Sequence, residues 1–248
     1  IAAGSPDTLL AGVSIDTRSL SPGELFVAIR GQNYDAHGFL ARAVEGGAAA
    51  LLINRDWLQN HSAPSGLDII TTDDTTRALG ALARGHRTHF KGSVVAITGS
   101  NGKTSTKELT HSVLSVSQPC LKNEGNFNNE FGLPLTLLRR KSEDQTAVLE
   151  MGMNHRGEIA RLTQIAAPDV GVITNVGTAH IEFLGSIEEI ALEKGDLIAG
   201  LGADGIAVLN ADDDRVLAQR ARGPEHVLTF GRGAQADVRP EKVEFDEE

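Results

Sequence analysis

Aromatic side chains are scarce in this chain, at 4% of 248 residues, with one Trp and one Tyr. Its cores must therefore be built from Leu, Ile, Val and Ala, a packing common under α/β layers. Cysteine is nearly absent. Cys120 stands alone, which excludes an intrachain disulfide and fits a reducing, cytoplasmic setting. No apolar run approaches the roughly 20 residues that a membrane-spanning helix needs, so no membrane insertion is expected. Basic charge is short as well: 23 Lys and Arg stand against 33 Asp and Glu, a net charge of −10. That balance argues against nucleic acid as a partner, and an anionic ligand would have to be held by local groups. The first ten residues carry no basic segment followed by an apolar one, so they do not read as a signal peptide. The chain opens on Ile1 rather than Met, and residues preceding it in the natural protein are expected.

What is present is an alternation of apolar runs and helical spacings. Glu24–Ile29, Ala48–Ile53 and Asp68–Thr71 read as strands, with a helical segment over His37–Glu45. Asp73–Phe90 reads as one helix, capped by Asp73 or Asp74 and ending near Lys91-Gly92. A domain boundary is expected there, giving a small α/β domain over 1–88 and a second domain over 89–248. In the second, strands are predicted at Ser93–Thr98, Thr146–Glu150, Val170–Thr174, Ile206–Leu209 and His226–Phe230. Helices are predicted at Lys103–Leu114, Gly157–Ile165, Ser186–Ile198 and Asp212–Ala221. The pattern is that of a doubly wound, largely parallel sheet. The polar stretch from Gly231 to Glu248 predicts weak order.

The most informative segment is Val94-Val95-Ala96-Ile97-Thr98-Gly99-Ser100-Asn101-Gly102-Lys103-Thr104. It is a buried-strand pattern, a glycine turn and a helix start. Glycines let backbone N–H groups approach phosphate oxygens, and a helix N-terminus adds partial positive charge. Lys103 can reach β- and γ-phosphates, and the Thr104 hydroxyl can ligate Mg²⁺. The usual P-loop spacing would place a glycine at 97, where Ile stands, so this is a shortened variant. The bland alternative is a glycine-rich turn with an exposed lysine.

Three further acidic or basic positions fit a phosphoryl-transfer site. Glu150 closes an apolar strand, where ligands bind in open α/β sheets, and can share Mg²⁺ with Thr104. His180 follows the Val170–Thr174 strand. Lys194 falls on the apolar stripe of its helix, four residues after Ile190 and four before Ile198. A lysine there needs a partner or a depressed pKa, unless its stem packs and its ammonium snorkels to water. From pattern alone the snorkelling reading is the simpler one.

The string TGSNGKT resembles the ATP loop of the Mur ligase family. Three more strings resemble that family in the same order: Lys122–Pro134 (KNEGNFNNEFGLP), Leu149–Asn154 (LEMGMN), and Asn175–Glu182 (NVGTAHIE) continuing to Ala191–Gly195 (ALEKG). The likeness is to the MurF branch, over nearly the whole chain up to about Gly231. Near the start, Ser14–Ser19 (SIDTRS), Pro22–Ala28 (PGELFVA) and Asp35–Phe39 (DAHGF) are similar to the UDP-sugar-binding domain of the same enzymes.

The resemblance implies an ATP- and Mg²⁺-dependent, ADP-forming ligase of peptidoglycan precursor synthesis. It would join D-alanyl-D-alanine to UDP-N-acetylmuramoyl-tripeptide through an acyl phosphate, as a monomer. It implies nucleotide contacts from Gly99, Ser100, Asn101, Gly102, Lys103, Thr104 and Thr106, with Asn210 on the adenine side unless Asp212 beside it is simply a helix cap. Metal ligands would be Thr104, Glu150, His180 and a carbamylated Lys194. Lys103, His180 and Lys194 would form the catalytic set. Substrate contacts would come from Asn126, Asn128 and Asn129, and from Ser14, Asp16, Thr17 and Arg18 for the uridine diphosphate. The family has a third domain, which is expected to be missing along with the end of the central one, so this chain is expected to bind nucleotide or UDP-substrate with little or no turnover. Alternatives are another ligase of the same type, MurE-, folylpolyglutamate- or cyanophycin-synthetase-like, or a nucleotide-binding module without catalysis.

Overall fold

The structure, a computed structural model, describes residues 3–5, 7–31, 33–179 and 181–243. The chain divides into two compact units, Ile1–His86 with Leu137–Arg139, and Arg87–Thr136 with Arg140–Glu248.

In the first unit β1 (Gly12–Ser14), β2 (Glu24–Val27), β3 (Ala50–Asn54) and β4 (Asp68–Thr72) lie side by side in chain order, all parallel. Ala36–Phe39 forms a 3-10 turn that runs into α1 (Leu40–Glu45), and α2 (Arg55–Asn60) and α3 (Thr75–Thr88) follow. Every residue of β3 is buried, as expected of an inner parallel strand, and Phe26, Leu51, Ile53 and Ile69 centre the core with Leu40 and Ala43. Asp74 caps α3 by accepting the Arg77 N–H at 3.0 Å; Asp73 instead offers its carbonyl to the Asn54 amide. A closed polar network threads this unit. His37, buried, bonds the Asp35 carboxylate through Nδ1 and accepts the Asn54 N–H at Nε2. Thr75 Oγ1 donates to Ala28 O at 2.8 Å and to Asn54 Oδ1 at 3.2 Å.

The second unit carries β5 (Ser93–Thr98), β6 (Cys120–Lys122), β7 (Thr146–Glu150), β8 (Val170–Ile173), β9 (Ile206–Asn210) and β10 (Val227–Phe230). They form one parallel sheet in the order β10-β9-β8-β5-β7-β6. Between them run α4 (Lys103–Leu114), α5 (Gly132–Leu138), α6 (Glu158–Ala166), α7 (Ile181–Leu184), α8 (Ile187–Ala199) and α9 (Asp214–Leu217). From β5 the chain runs outward to β6, returns to β7, then crosses β5 to β8. That reversal opens a crevice at the carboxyl ends of the strands. Ile97, Val148 and Val172 pack the centre of the sheet. Among the described residues no helix is long and apolar enough to cross a membrane.

Several elements differ from expectation. The short β1, β6, α2, α5 and α7 carry too few residues for a period to show. The segment over Asp212–Ala221 is not one helix: α9 spans four residues and tightens into a 3-10 turn over Ala218–Arg222. There Arg222 is drawn to α8, donating to Leu192 O and pairing with Asp196 at 2.5 Å. The stretch after Gly231 is not uniformly loose. Val238 bridges to Phe230, and Asp237 accepts both the N–H and the hydroxyl of Thr229 at 2.8 and 2.7 Å. An acidic residue that reads as solvated thus finishes the sheet edge. Residues 244–248 lie outside the described residues.

Candidate active site

The phosphate loop leaves β5 at its carboxyl end, inside the crevice. Gly99 has φ +154°, and a Cβ there would overlap Thr174 Oγ1, so only glycine fits. Gly102 (φ +79°) is the N-cap of α4 and faces open space, with nothing within 4 Å of where a Cβ would stand. The segment after β8 clasps the loop. Ser100 N–H donates to Asn175 O at 2.9 Å, and Ser100 Oγ accepts the Gly177 N–H at 2.7 Å. Asn101 N–H donates to Asn175 Oδ1, and Asn175 Nδ2 returns to Asn101 O, at 2.9 and 3.0 Å. Thr174 Oγ1 also donates to Asn101 O. The loop is preformed by protein contacts.

Lys103 opens α4 and folds back on the loop, its ammonium 2.8 Å from Gly99 O. Burial lowers its pKa, while Glu150 pulls the other way. Glu150 ends β7 in register with Ile97 and is 3% exposed. Each carboxylate oxygen takes one neutral donor: Thr104 Oγ1 on Oε2 and Asn128 Nδ2 on Oε1, both at 2.8 Å. Neutral donors leave the carboxylate its charge and spare lone pairs.

Lys194 lies on the inner face of α8, 2% exposed. Ser186 caps that helix by accepting the Glu189 N–H, and Ile190, Ala191 and Ile198 share Lys194's buried face. Burial holds the Lys194 pKa down to about 7, the Lys103 ammonium adds repulsion, and Glu193 opposes both. Glu193 is itself spent on α6, accepting the Gly157 and Ile159 N–H groups. A lysine at an open glycine turn beside a strand-end carboxylate suits a triphosphate carrying Mg²⁺: the Lys103 ammonium can meet phosphate, and Thr104 and Glu150 can meet the cation. Among the described residues no group of three or more His, Cys, Asp or Glu could hold a metal by itself.

The crevice thus brings together Gly99–Thr104 and Glu150, with Asn128 on the Glu150 carboxylate and Lys194 close enough to Lys103 to feel its charge. Other expected residues are employed differently. Asn129 caps α5, its Oδ1 accepting the Phe131 and Gly132 N–H groups. Asn126 is exposed and receives the Asn128 N–H on its carbonyl. Thr106 lies half-buried in the second turn of α4. Asn210 ties β9 to the β8 end, its Nδ2 donating to Thr174 O at 2.8 Å while Oδ1 accepts the Asp212 N–H. Asp212 is not the helix cap: it holds the Arg232 and Gly233 N–H groups, and Asp213 caps α9. His180 lies outside the described residues. In the first unit Ser14 is buried at the end of β1, and Thr17 is half-buried. Arg18 forks onto Asp16 at 2.6–3.0 Å and holds that carboxyl at about 2.

Asn123, Thr174, Asn175 and Lys107 contribute without having been expected. Asn123 and Asn175 sit inside two of the strings that stood out in the sequence, but amides bonded to backbone carry no spacing signal.

The model of the Mur ligase middle domain matches residues 97–248. UDP-N-acetylmuramoyl-tripeptide–D-alanyl-D-alanine ligase of Bacillus subtilis is 40% identical over 241 residues, 97% of this chain and 51% of the relative. Its Escherichia coli counterpart is 43% identical over 92% of this chain and 49% of the relative. The crystal structure of the MurF ligase of Thermotoga maritima in complex with ADP superposes with a TM-score of 0.82 at 34% identity, over 93% of this chain and 52% of that one. The chain spans about half the length of the curated relatives it matches. With the family model matched over more than half of its length, the chain belongs to the Mur ligase family.

Proposed function

We propose that the chain is the ATP-binding and UDP-substrate-binding portion of a ligase that adds D-alanyl-D-alanine to UDP-N-acetylmuramoyl-tripeptide. The relatives that carry that name support the substrates, and the ADP complex of the Thermotoga enzyme supports the nucleotide. The observation that carries the reading is the Thr104–Glu150 hydrogen bond, which joins the phosphate loop to a buried carboxylate. ATP supplies the phosphoryl group that activates the tripeptide carboxylate for attack by the amine. Backbone N–H groups at the start of α4, Gly102 to Thr104, and the Lys103 ammonium hold the phosphates, and Thr104 and Glu150 hold Mg²⁺. Lys194, with its amine near half-neutral at pH 7, is available to CO₂: the neutral amine adds to carbon, a proton leaves, and a carbamate anion results that can join the Mg²⁺ ligands. The Ser14–Arg18 loop is the proposed uridine-diphosphate contact, Arg18 exchanging Asp16 for phosphate.

Titration of this chain with MgATP tests the nucleotide reading. Replacing Lys103 with Ala is expected to weaken binding on the order of 100-fold, the worth of a charge-assisted phosphate contact in a desolvated site. Equal affinity in wild type and variant would place the nucleotide elsewhere.

A further inference from the structure

Glu150 is fastened at its backbone as well as at its carboxylate. Asn123, completely buried, spans three main-chain groups: its Oδ1 accepts the Glu150 N–H at 2.9 Å, and its Nδ2 donates to Glu150 O at 3.0 Å and Phe127 O at 2.9 Å. Its own carbonyl receives the Lys107 ammonium at 2.8 Å. Lys107 is also completely buried, pairs with Glu108 at 3.1 Å, and Glu108 in turn holds Lys122 at 2.5 Å. Thr104 and Lys107 are i, i+3 neighbours on α4. The helix that opens at the phosphate loop therefore grips Glu150 by two routes, directly through Thr104 and indirectly through Lys107 and Asn123. An apolar side chain would fill the Lys107 site at less desolvation cost. The buried cation there is matched by two partners, the Glu108 carboxylate and the Asn123 carbonyl.

We infer that Asn123 is the positioning residue for Glu150, with Lys107 as its anchor, and that the pair sets how tightly the site takes up Mg²⁺ beside a nucleotide. The inference rests on the proposed ATP site. Neither residue reaches the phosphate loop in the hydrogen-bond pattern, so nucleotide alone should bind without their help. Mg²⁺ requires the Glu150 oxygens held at fixed places, and partners of metal ligands commonly tune affinity on the order of tenfold or more.

The test compares ATP affinity of the whole 248-residue chain in EDTA with its affinity across a Mg²⁺ titration, alongside thermal melts. For Asn123→Ala, the Mg²⁺-induced gain in ATP affinity is expected to fall about tenfold while the EDTA affinity stays within about twofold of wild type. Lys107→Met, which keeps a long buried stem, is expected to lower the same gain about threefold and serves if Asn123→Ala does not fold. A full Mg²⁺ gain in whichever variant folds, whatever its melting temperature, overturns the inference. So does equal loss with and without Mg²⁺, which would make the pair a general support of the loop. A wild-type chain that binds ATP in neither condition removes the proposed function itself, and that outcome is read before any variant is made.

Discussion

Both units are parallel α/β sheets, yet they bury polar groups in opposite ways. In the first, His37, Asn54 and Thr75 close on one another and on backbone carbonyls. Such a network specifies a fold and leaves little for a ligand. In the second, a carboxylate and an ammonium are buried, Glu150 at a strand end and Lys194 on a helix. Among the described residues the Glu150 carboxylate takes its hydrogen bonds from neutral side chains, and Lys194 is held where its charge is disfavoured. Burial alone does not separate structure from function. What separates them is whether the buried groups are mutually neutralised or kept in a state that a charged ligand would complete.

The comparison can be broken most directly at the phosphate loop. Gly99→Ala forces a Cβ into Thr174 in a backbone conformation that Ala resists, and should cost the second unit on the order of 3 kcal/mol and remove ATP binding. Hydrogen exchange across β5 and β8 reports the first effect and calorimetric titration the second. Wild-type behaviour in both would mean that the loop is not a preformed cradle. In the first unit, Asn54→Ala removes the donor to Asp73 O, leaves the Thr75 hydroxyl with Ala28 O alone, and should cost about 2 kcal/mol, read as faster exchange in β3 and β4. ATP affinity should be unchanged; a drop would show that the closed network serves the nucleotide site after all.

The smallest effect sharpens the contrast through pH. A lysine with a folded pKa of about 7, against an ordinary 10.5, binds fewer protons folded than unfolded between those values. Its cost to stability is therefore complete below about pH 7 and fades as pH rises toward the ordinary value. Lys194→Met removes that cost, so its stability advantage over wild type should be largest at neutral pH and shrink steadily in denaturant melts toward about pH 10. A constant difference would put the ammonium in water and Lys194 outside the poised group.

Legibility followed the range of the interaction. The long strands β5 and β7 and the helices α4 and α8 announced themselves by period, and Lys194 was visible as a polar intruder on an apolar stripe. The short α5 and α7 did not, because four to seven residues hold too little pattern. The acidic stretch after Gly231 read as solvated, yet Asp237 is bonded to Thr229. Asp212 and Asp213, adjacent and chemically alike, took different tasks that only their three-dimensional partners assign.

From its sequence alone this chain was bound to be a parallel α/β protein with a phosphate loop, because hydrophobic period and glycine placement are local properties of the chain. Which side chains meet at that loop was decided by the tertiary structure. Parallel strands far apart in sequence set Glu150 beside Ile97, and Thr98 level with Ile173 and Leu209. The buried Asn123 amide gains its meaning from Glu150, 27 residues away, and the Ser100 hydroxyl from Gly177, 77 residues away, distances no local pattern encodes.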